Sequence, residues 1–225
     1  KFVIEKITNE VISKTKFVLW KGIGDELVFK KVLSIQSLEK DIILINKIMV
    51  EILDELYLSE ETRKIYPDIK QLSIKTTKWL IHTSEENKNE TDYRIEINGQ
   101  DDYLGKEMDT GFRISSYAFR SKTILSAAII YILINISSKI LNKIRVIGYS
   151  KIKGVWENNE YPICVYFRNK NIQNSFHQPE KNIEVVSKFI DLYLKNKNFG
   201  KIKKPEFLEY LDFLGFYEKY KSQFV

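Results

Sequence analysis

The sequence predicts a mixed α+β domain in which helices cover one face of a β-sheet. Two patterns support this prediction: apolar residues recur at helical spacing in residues 2–13 and 37–57, and two apolar runs near residues 145–167 have the length and composition of strands. The chain has 225 residues, of which 44% are hydrophobic. That length fits one large domain that can bury a substantial core.

The first part of the chain predicts a helix, a hairpin and a second helix. Residues 2–13 form the first helix by their apolar spacing. Residues 16–20 and 26–33 are strand-like runs on either side of a tight turn at residues 22–25, which is typical of a hairpin. The long amphipathic helix over residues 37–57 has Ser37 as its expected N-cap.

The rest of the chain continues the alternation of strands and helices. The expected elements are strands at 72–81 and 93–97, a polar loop at 82–92, a helix from Gly105 to about 119, a strand, a helix or both at 122–136, a strand pair at 145–155 and 161–167, and helices at 183–194 and 207–220. We expect one domain over residues 1–180 and a helical extension over 181–225 packed on it. One further strand before Lys1 would complete the βαββαβ order of the ferredoxin-like arrangement.

Charge and cysteine content narrow the class of protein. The net charge is +6 and the pI about 9.1, which suits a protein that handles phosphates or binds nucleic acid. The charges are interspersed, however, and no basic arm is present. Cys164 is the single cysteine, so no disulfide forms within the chain. With no membrane-length apolar run and no signal peptide, we expect a soluble cytoplasmic protein without a membrane partner.

The first chemically suggestive stretch is Trp20-Lys21-Gly22-Ile23-Gly24-Asp25-Glu26. A carboxylate next to glycine at a hairpin tip points outward with little crowding, so Asp25 is a candidate Mg²⁺ ligand. An ordinary Gly-Asp turn is the alternative.

The second stretch runs from Asp102 through Gly105 to Asp109 and Arg113. Asp109 and Arg113 are four residues apart and share a helix face. The Arg113 guanidinium could neutralise charge on a transferring phosphoryl group. A surface salt bridge explains the same spacing.

The third stretch is Lys151-Ile152-Lys153-Gly154-Val155. Lys153, on a strand beside a glycine, could hold a terminal phosphate as a point charge, or it could belong to a solvated strand face. The sequence contains no P-loop, no Gly-x-Gly-x-x-Gly loop and no Gly-x-Ser-x-Gly elbow. A Cys/His zinc site is not expected, because His82 and His177 are the only histidines and Cys164 is the only cysteine.

In their order and separation the three stretches resemble class III nucleotidyl cyclases, over residues 14–167. The resemblance implies that Asp25 holds catalytic Mg²⁺ or Mn²⁺, two ions in this family, and that Lys21 and Asp102 recognise the base. Arg113 would stabilise the transition state, and Asp109, the second catalytic residue, stands where the family has asparagine. Lys153 with Gly154 would bind the triphosphate.

Within that superfamily, the segments at 109–113 and 153–162 resemble the bacterial Pycsar cyclases. That resemblance implies conversion of UTP or CTP to the 3′,5′-cyclic monophosphate plus pyrophosphate, as a second messenger that activates a separate effector in anti-phage defence. It also implies a head-to-tail homodimer with shared active sites, and no nucleic-acid partner.

One departure from the family concerns the first metal-binding Asp, which the resemblance puts on a strand before the first helix. Glu5 and Glu10 lie within the helical pattern instead. We expect either that this Asp and the first strand lie upstream of Lys1 or that the domain is catalytically degenerate and binds nucleotide or a partner. A second alternative is an adenylate cyclase of the same fold, since Lys21 and Asp102 also resemble an adenine-reading pair. A third is a basic protein that binds nucleic acid.

Overall fold

The structure is a computed structural model that describes residues 2–81, 93–97, 99–119, 122–136, 138–155 and 160–167. The predicted polar loop at 82–92 and the predicted extension over 181–225, with its helices at 183–194 and 207–220, lie outside the described residues. The described elements confirm a mixed α+β protein.

The helices and strands follow one another along the whole described chain. In order they are α1 (Phe2–Lys14), β1 (Val18–Ile23), β2 (Glu26–Lys30), α2 (Ile35–Leu58), α3 (Glu60–Ile65), a 3₁₀ turn (Pro67–Gln71), β3 (Thr76–Lys78), β4 (Tyr93–Ile97), β5 (Gln100–Leu104), α4 (Lys106–Ser115), β6 (Thr123–Leu125), α5 (Ala127–Asn135), a 3₁₀ turn (Lys139–Lys143), β7 (Ile144–Lys151) and β8 (Glu160–Tyr166).

The chain divides into two compact units. The first is drawn from Lys1–Thr76 with Phe119–Lys122, and the second from Thr77–Ala118 with the residues that follow Lys122. The sequence predicted no such division within residues 1–180.

The first unit is built on α1 and α2, which share a buried apolar cluster. Its buried members are Val11, Ile48, Met49, Ile52, Leu56 and Ile69. Those on α2 recur at spacings of three and four residues, so one stripe of the helix faces the cluster. At the margin of the same two helices, Lys6 Nζ donates to Glu55 Oε1 at 2.6 Å. The predicted helices are both confirmed, and their amphipathic pattern is the cause.

The start of α2 differs from the prediction. Ser34, in an extended conformation, is the N-cap, and the helix begins at Ile35. Ser37 is already helical, so its predicted role as the cap is wrong. Its hydroxyl donates to the carbonyl of Ser34 at 3.3 Å and contacts Asp41 Oδ2 at 2.9 Å. A serine in the first turn can satisfy its hydroxyl within the helix, and sequence alone did not separate this from capping.

β1 and β2 form an antiparallel hairpin, as predicted, but with a tighter turn. The strands are paired up to Ile23 and Glu26, so the turn consists of Gly24 and Asp25 alone. Gly24 has a φ of 62°, a left-handed conformation that glycine adopts without strain. The register shifts between Leu19 and Lys21, which marks a β-bulge at Trp20.

The second unit contains a four-stranded sheet in the order β3-β6-β8-β7. β8 pairs antiparallel with both β6 and β7. β3 runs parallel to β6, because Thr76 donates to the carbonyl of Lys122 and Ser126 donates to that of Lys78. The sheet is therefore mixed. Residues 161–166 of β8 are all buried, which explains their nearly unbroken apolar sequence.

Three expectations in this unit are corrected or resolved. The strand predicted at 72–81 shrinks to Thr76–Lys78, preceded by a 3₁₀ turn. Residues 122–136 are a strand followed by a helix, and Ser126 accepts from the N–H of Ile129 between them. β7 ends at Lys151, so Lys153 lies in a turn and not on a strand as predicted.

The remaining strands, β4 and β5, pair with each other in a separate two-stranded sheet, as β1 and β2 do. The eight described strands are thus distributed over three sheets. In the part of the chain that the structure describes, no helix has the length and apolar character needed to cross a lipid bilayer.

Candidate functional site

The centre of the candidate site is the exposed face of α4. Gly105, with a φ of 141°, is the N-cap, and the N–H of Asp109 donates to its carbonyl at 3.0 Å. Arg113 lies one turn further along, and its Nε donates to Asp109 Oδ2 at 2.5 Å. The predicted shared face is confirmed. The side chains of Asp109 and Arg113 are 48% and 38% exposed, so a ligand from solvent can reach both.

The second part of the site is the turn after β7. The N–H of Val155 donates to the carbonyl of Ile152 at 3.0 Å and closes the turn around Lys153 and Gly154. Gly154 has a φ of 77°, a left-handed conformation that glycine adopts without strain. Ile152 and Val155 are buried at 6% and 2% exposure, whereas Lys153 and Gly154 are exposed. The two apolar anchors therefore hold the Lys-Gly tip out toward solvent.

These two parts of the site meet. A Cβ placed on Gly154 would lie 3.7 Å from Asp109 Oδ2, so the Asp109 carboxylate sits over the glycine of the turn. A second link joins the same two elements, because Tyr117 Oη, just beyond the end of α4, lies 2.6 Å from Ser150 Oγ on β7. The structure thus brings Asp109, Arg113 and the Lys153–Gly154 turn together.

The opposite side of α4 is held by an aromatic contact. Gly111 is buried, and a Cβ at this position would overlap the indole ring of Trp79. The Trp79 ring also packs against Phe112, with ring centroids 5.6 Å apart and planes tilted by 51°. Glycine lets the ring approach the helix backbone, and this contact fixes the position of the turn of α4 between Asp109 and Arg113.

Asp102 lies on β5, opposite Ile95 of β4. It is half-buried, and its Oδ1 accepts from the N–H of Tyr103 at 2.9 Å. This local bond turns the carboxylate toward its own strand. The chain runs from Asp102 through Gly105 directly into α4, which is the connection that the sequence analysis relied on.

Lys21 and Asp25 lie on the hairpin of the first unit. Lys21 Nζ stands 4.1 Å from the centroid of the Trp20 ring, a cation–π geometry. Asp25 is exposed at the tip beside Gly24. The candidate residues therefore form two groups, one on each unit.

The metal ions implied by the resemblance need several oxygen ligands. Among the described residues, no three His, Cys, Asp or Glu side chains gather into a metal-binding group. Asp25 contributes one carboxylate, and the described residues do not complete a two-ion site around it. No chemical step is therefore assigned to a metal below.

Two buried ionisable groups have shifted pKa values. Burial raises the pKa of the Cys164 thiol to about 12, so this residue is a neutral part of the sheet and not a nucleophile, as predicted. Burial also lowers the pKa of Lys122, which is 8% exposed. Neither group lies in the candidate site.

Three residues that hold the site were not found from the sequence: Trp79, Tyr117 and Ser150. Each acts through a contact with a residue distant along the chain. The sequence offered one indirect signal, the glycine inside α4, because glycine within a helix often marks a close packing partner.

The chain was compared with protein-family models, with curated proteins and with solved structures, and none of the three comparisons finds a match.

Proposed function

We propose that this protein is a nucleotidyl cyclase that converts a pyrimidine nucleoside triphosphate, UTP or CTP, to its 3′,5′-cyclic monophosphate and pyrophosphate. The observation that carries the proposal is the meeting of the Asp109–Arg113 pair with the exposed Lys153–Gly154 turn. A guanidinium next to an exposed turn that carries a lysine and a glycine forms a suitable receptor for a polyphosphate.

In the proposed reaction the ribose 3′-oxygen bonds to the α-phosphorus, the bond from that phosphorus to the β-phosphate oxygen breaks, pyrophosphate leaves, and the hydroxyl proton passes to solvent. Arg113 stabilises the charge that develops at the α-phosphate, and Lys153 holds the β- and γ-phosphates. Lys21, Asp102 and Asp109 recognise the base and ribose, and Asp25 would be one ligand of the Mg²⁺ or Mn²⁺ that the family uses. These divalent ions would supply charge neutralisation on the triphosphate.

We further propose the ferredoxin-like order of the class III cyclase fold and a head-to-tail homodimer. The candidate residues fall into two groups, Lys21 with Asp25 on the first unit and Asp102, Asp109, Arg113 and Lys153 on the second. In the dimer that the resemblance implies, Asp25 would come from one subunit, and Lys21, Asp102, Arg113 and Lys153 would come from the other. The cyclic nucleotide would then activate a separate effector protein in anti-phage defence.

The first test incubates the full-length gene product with ATP, GTP, CTP and UTP in the presence of Mn²⁺ and identifies products by mass spectrometry. We expect a cyclic pyrimidine nucleotide. Arg113→Ala should lower its rate of formation by on the order of 10²- to 10³-fold, because it removes a charge that acts in the transition state.

Arg63→Ala is the matched control for this loss. Arg63 is an exposed arginine of α3 in the first unit, and its guanidinium donates to the backbone carbonyls of Ser59 and Leu58, both at 3.4 Å. Its activity should equal that of the unmodified protein. Equal activity of the Arg113→Ala and Arg63→Ala variants would contradict the role of Arg113, and cyclic AMP as the product would replace the pyrimidine assignment by an adenylate cyclase.

The shared-site arrangement is tested by mixing. Asp25→Ala and Arg113→Ala should each be inactive alone, and their mixture should regain activity, because one site of each mixed dimer keeps both residues. Failure to regain activity in a mixture that contains mixed dimers, as verified by mass, would exclude a site divided between subunits in this way.

A second candidate function is a cyclase-like domain that binds nucleotide or a partner without turnover. It is favoured because, among the described residues, no three His, Cys, Asp or Glu side chains gather into a metal-binding group. Calorimetric binding of a nucleoside triphosphate without any product would support this candidate over the enzyme.

A further inference from the structure

We propose that Asp109 is an internal counter-ion, which a polyphosphate ligand must displace from Arg113 before it can bind beside Gly154. The inference rests on the phosphate-binding role proposed above for this site, but it does not require turnover. It makes Asp109 a residue that sets ligand affinity, in addition to its place beside the reacting groups.

The first argument is the position of the carboxylate. Asp109 Oδ2 accepts from Arg113 Nε at 2.5 Å and also lies over the turn, 3.7 Å from the position of a Cβ on Gly154. An anion that used both the guanidinium and the glycine backbone would need that same space. The Asp109 carboxylate therefore already occupies the location that suits a phosphate oxygen.

The second argument is that the surrounding backbone is held in place, so that the exchange involves side chains alone. Tyr117 and Ser150 join the end of α4 to β7, and the buried Ile152 and Val155 anchor the turn. Gly111 packs on Trp79 from the other side of the helix. Movement of α4 away from the turn would break these contacts, whereas rotation of the Asp109 side chain breaks none of them.

The third argument concerns the strength of the pair. Both side chains are more than a third exposed, and exposed ion pairs of this kind are weak because water screens them. Arg113 has five N–H donors and uses Nε for Asp109, so its outer nitrogens can receive an incoming phosphate first. A multiply charged polyphosphate can then replace a single carboxylate at the guanidinium.

The test measures binding of inorganic triphosphate by calorimetry at low salt, with EDTA present so that divalent metal plays no part. Asp109→Asn keeps the side-chain shape and removes the charge. We expect it to bind triphosphate roughly five- to tenfold more tightly than the unmodified protein, since a carboxylate a few ångströms from the ligand is lost. Arg113→Ala should bind triphosphate more weakly than both the unmodified protein and Asp109→Asn.

The matched control is Glu10→Gln. Glu10 and Lys14 form an exposed pair at the same spacing on α1, with Glu10 Oε2 and Lys14 Nζ 2.6 Å apart. This substitution changes the net charge by the same amount, and it should leave triphosphate affinity unchanged. Asp109→Ala, with a thermal melt to verify folding, should bind more tightly in the same way as Asp109→Asn.

If Asp109→Asn binds triphosphate only as tightly as the unmodified protein, or more weakly, the proposal is overturned. An equal gain for Glu10→Gln would overturn it too, because the effect would then come from net charge alone. The outcome is separate from that of the cyclase assay. If no nucleotide is turned over but Asp109→Asn still gains affinity, the proposed enzyme fails and the counter-ion remains.

Discussion

The turn between β1 and β2 and the turn after β7 both place a glycine with positive φ beside a charged residue, yet they are held differently. At the first turn Ile23 is 45% exposed, and the strands pair only with each other. At the second turn Ile152 and Val155 are buried, and β7 is part of the four-stranded sheet. A Gly-Asp and a Lys-Gly motif that look equivalent in sequence therefore differ in how firmly the charge is positioned.

The largest expected difference between the two turns is in how much stability their flanking isoleucines, Ile152 and Ile23, contribute. Ile152→Ala should lower the free energy of unfolding by about 2–4 kcal/mol, because it removes a buried side chain and leaves a cavity. Ile23→Ala, the same substitution at an exposed position, should change it by less than about 0.5 kcal/mol. Urea unfolding of both variants checks this, and equal losses would mean that Ile23 is covered in the protein in solution.

The next difference is in the glycines that approach a neighbour. Gly111→Ala should destabilise the protein by about 1–3 kcal/mol, because the added methyl would overlap Trp79. Gly22→Ala in the β1–β2 hairpin is the control. Its Cβ would lie 3.9 Å from the carbonyl oxygen of Glu26, an ordinary contact, and its effect should be much smaller. Thermal melts compare the two. A change in the tryptophan fluorescence of Gly111→Ala that disappears in a Trp79→Phe background would locate the disturbance at Trp79.

The turn glycines themselves should behave alike. Gly154 and Gly24 have φ values of 77° and 62°, and an added Cβ meets nothing closer than 3.7 Å at either site. Alanine at each position should cost about 1–2 kcal/mol through backbone strain alone. A much larger loss at Gly154 in the same melts would show that the anchored turn tolerates less backbone adjustment than the hairpin tip.

The smallest expected effect is electrostatic and belongs to α1 of the first unit. The hydrogen bond from Lys14 lowers the pKa of Glu10 below its ordinary value of 4.5. A lowered carboxyl pKa favours the folded state above the ordinary pKa, and this contribution is lost as the pH falls through the folded-state pKa. An NMR titration should find the pKa of Glu10 below 4.5 in the unmodified protein. In Lys14→Met the pKa of Glu10 should rise toward 4.5. An unchanged value in that variant would contradict the pairing.

The elements that were predicted correctly share a strong local signal. α1 and α2 have apolar residues at helical spacing, and the hairpin β1–β2 has glycines between two apolar runs. The elements that were missed have polar sequences. β5 reads Gln-Asp-Asp-Tyr-Leu, and its strand state depends on pairing with β4. The dipeptide Asn98-Gly99 before it is a hairpin signal that was overlooked in the sequence.

The short helix α3 was also missed, although Ser59 accepts from the N–H of Thr62 and two acidic residues follow it in the first turn. These are ordinary start signals of a helix, but six residues are too few to show a period. For the candidate site, the Asp109–Arg113 contact followed from helical spacing alone. Its meeting with the turn at Gly154 and its support from Trp79 depend on tertiary packing, which local patterns do not encode.

The single cysteine can report how often the four-stranded sheet of the second unit opens to solvent. Cys164 is fully buried on β8 between β6 and β7, and its thiol is protonated at neutral pH. A thiol-reactive reagent can therefore modify it only when this sheet separates. The rate of modification in the absence of denaturant would measure how often the centre of the second unit becomes accessible to solvent. No engineered label is needed for that measurement.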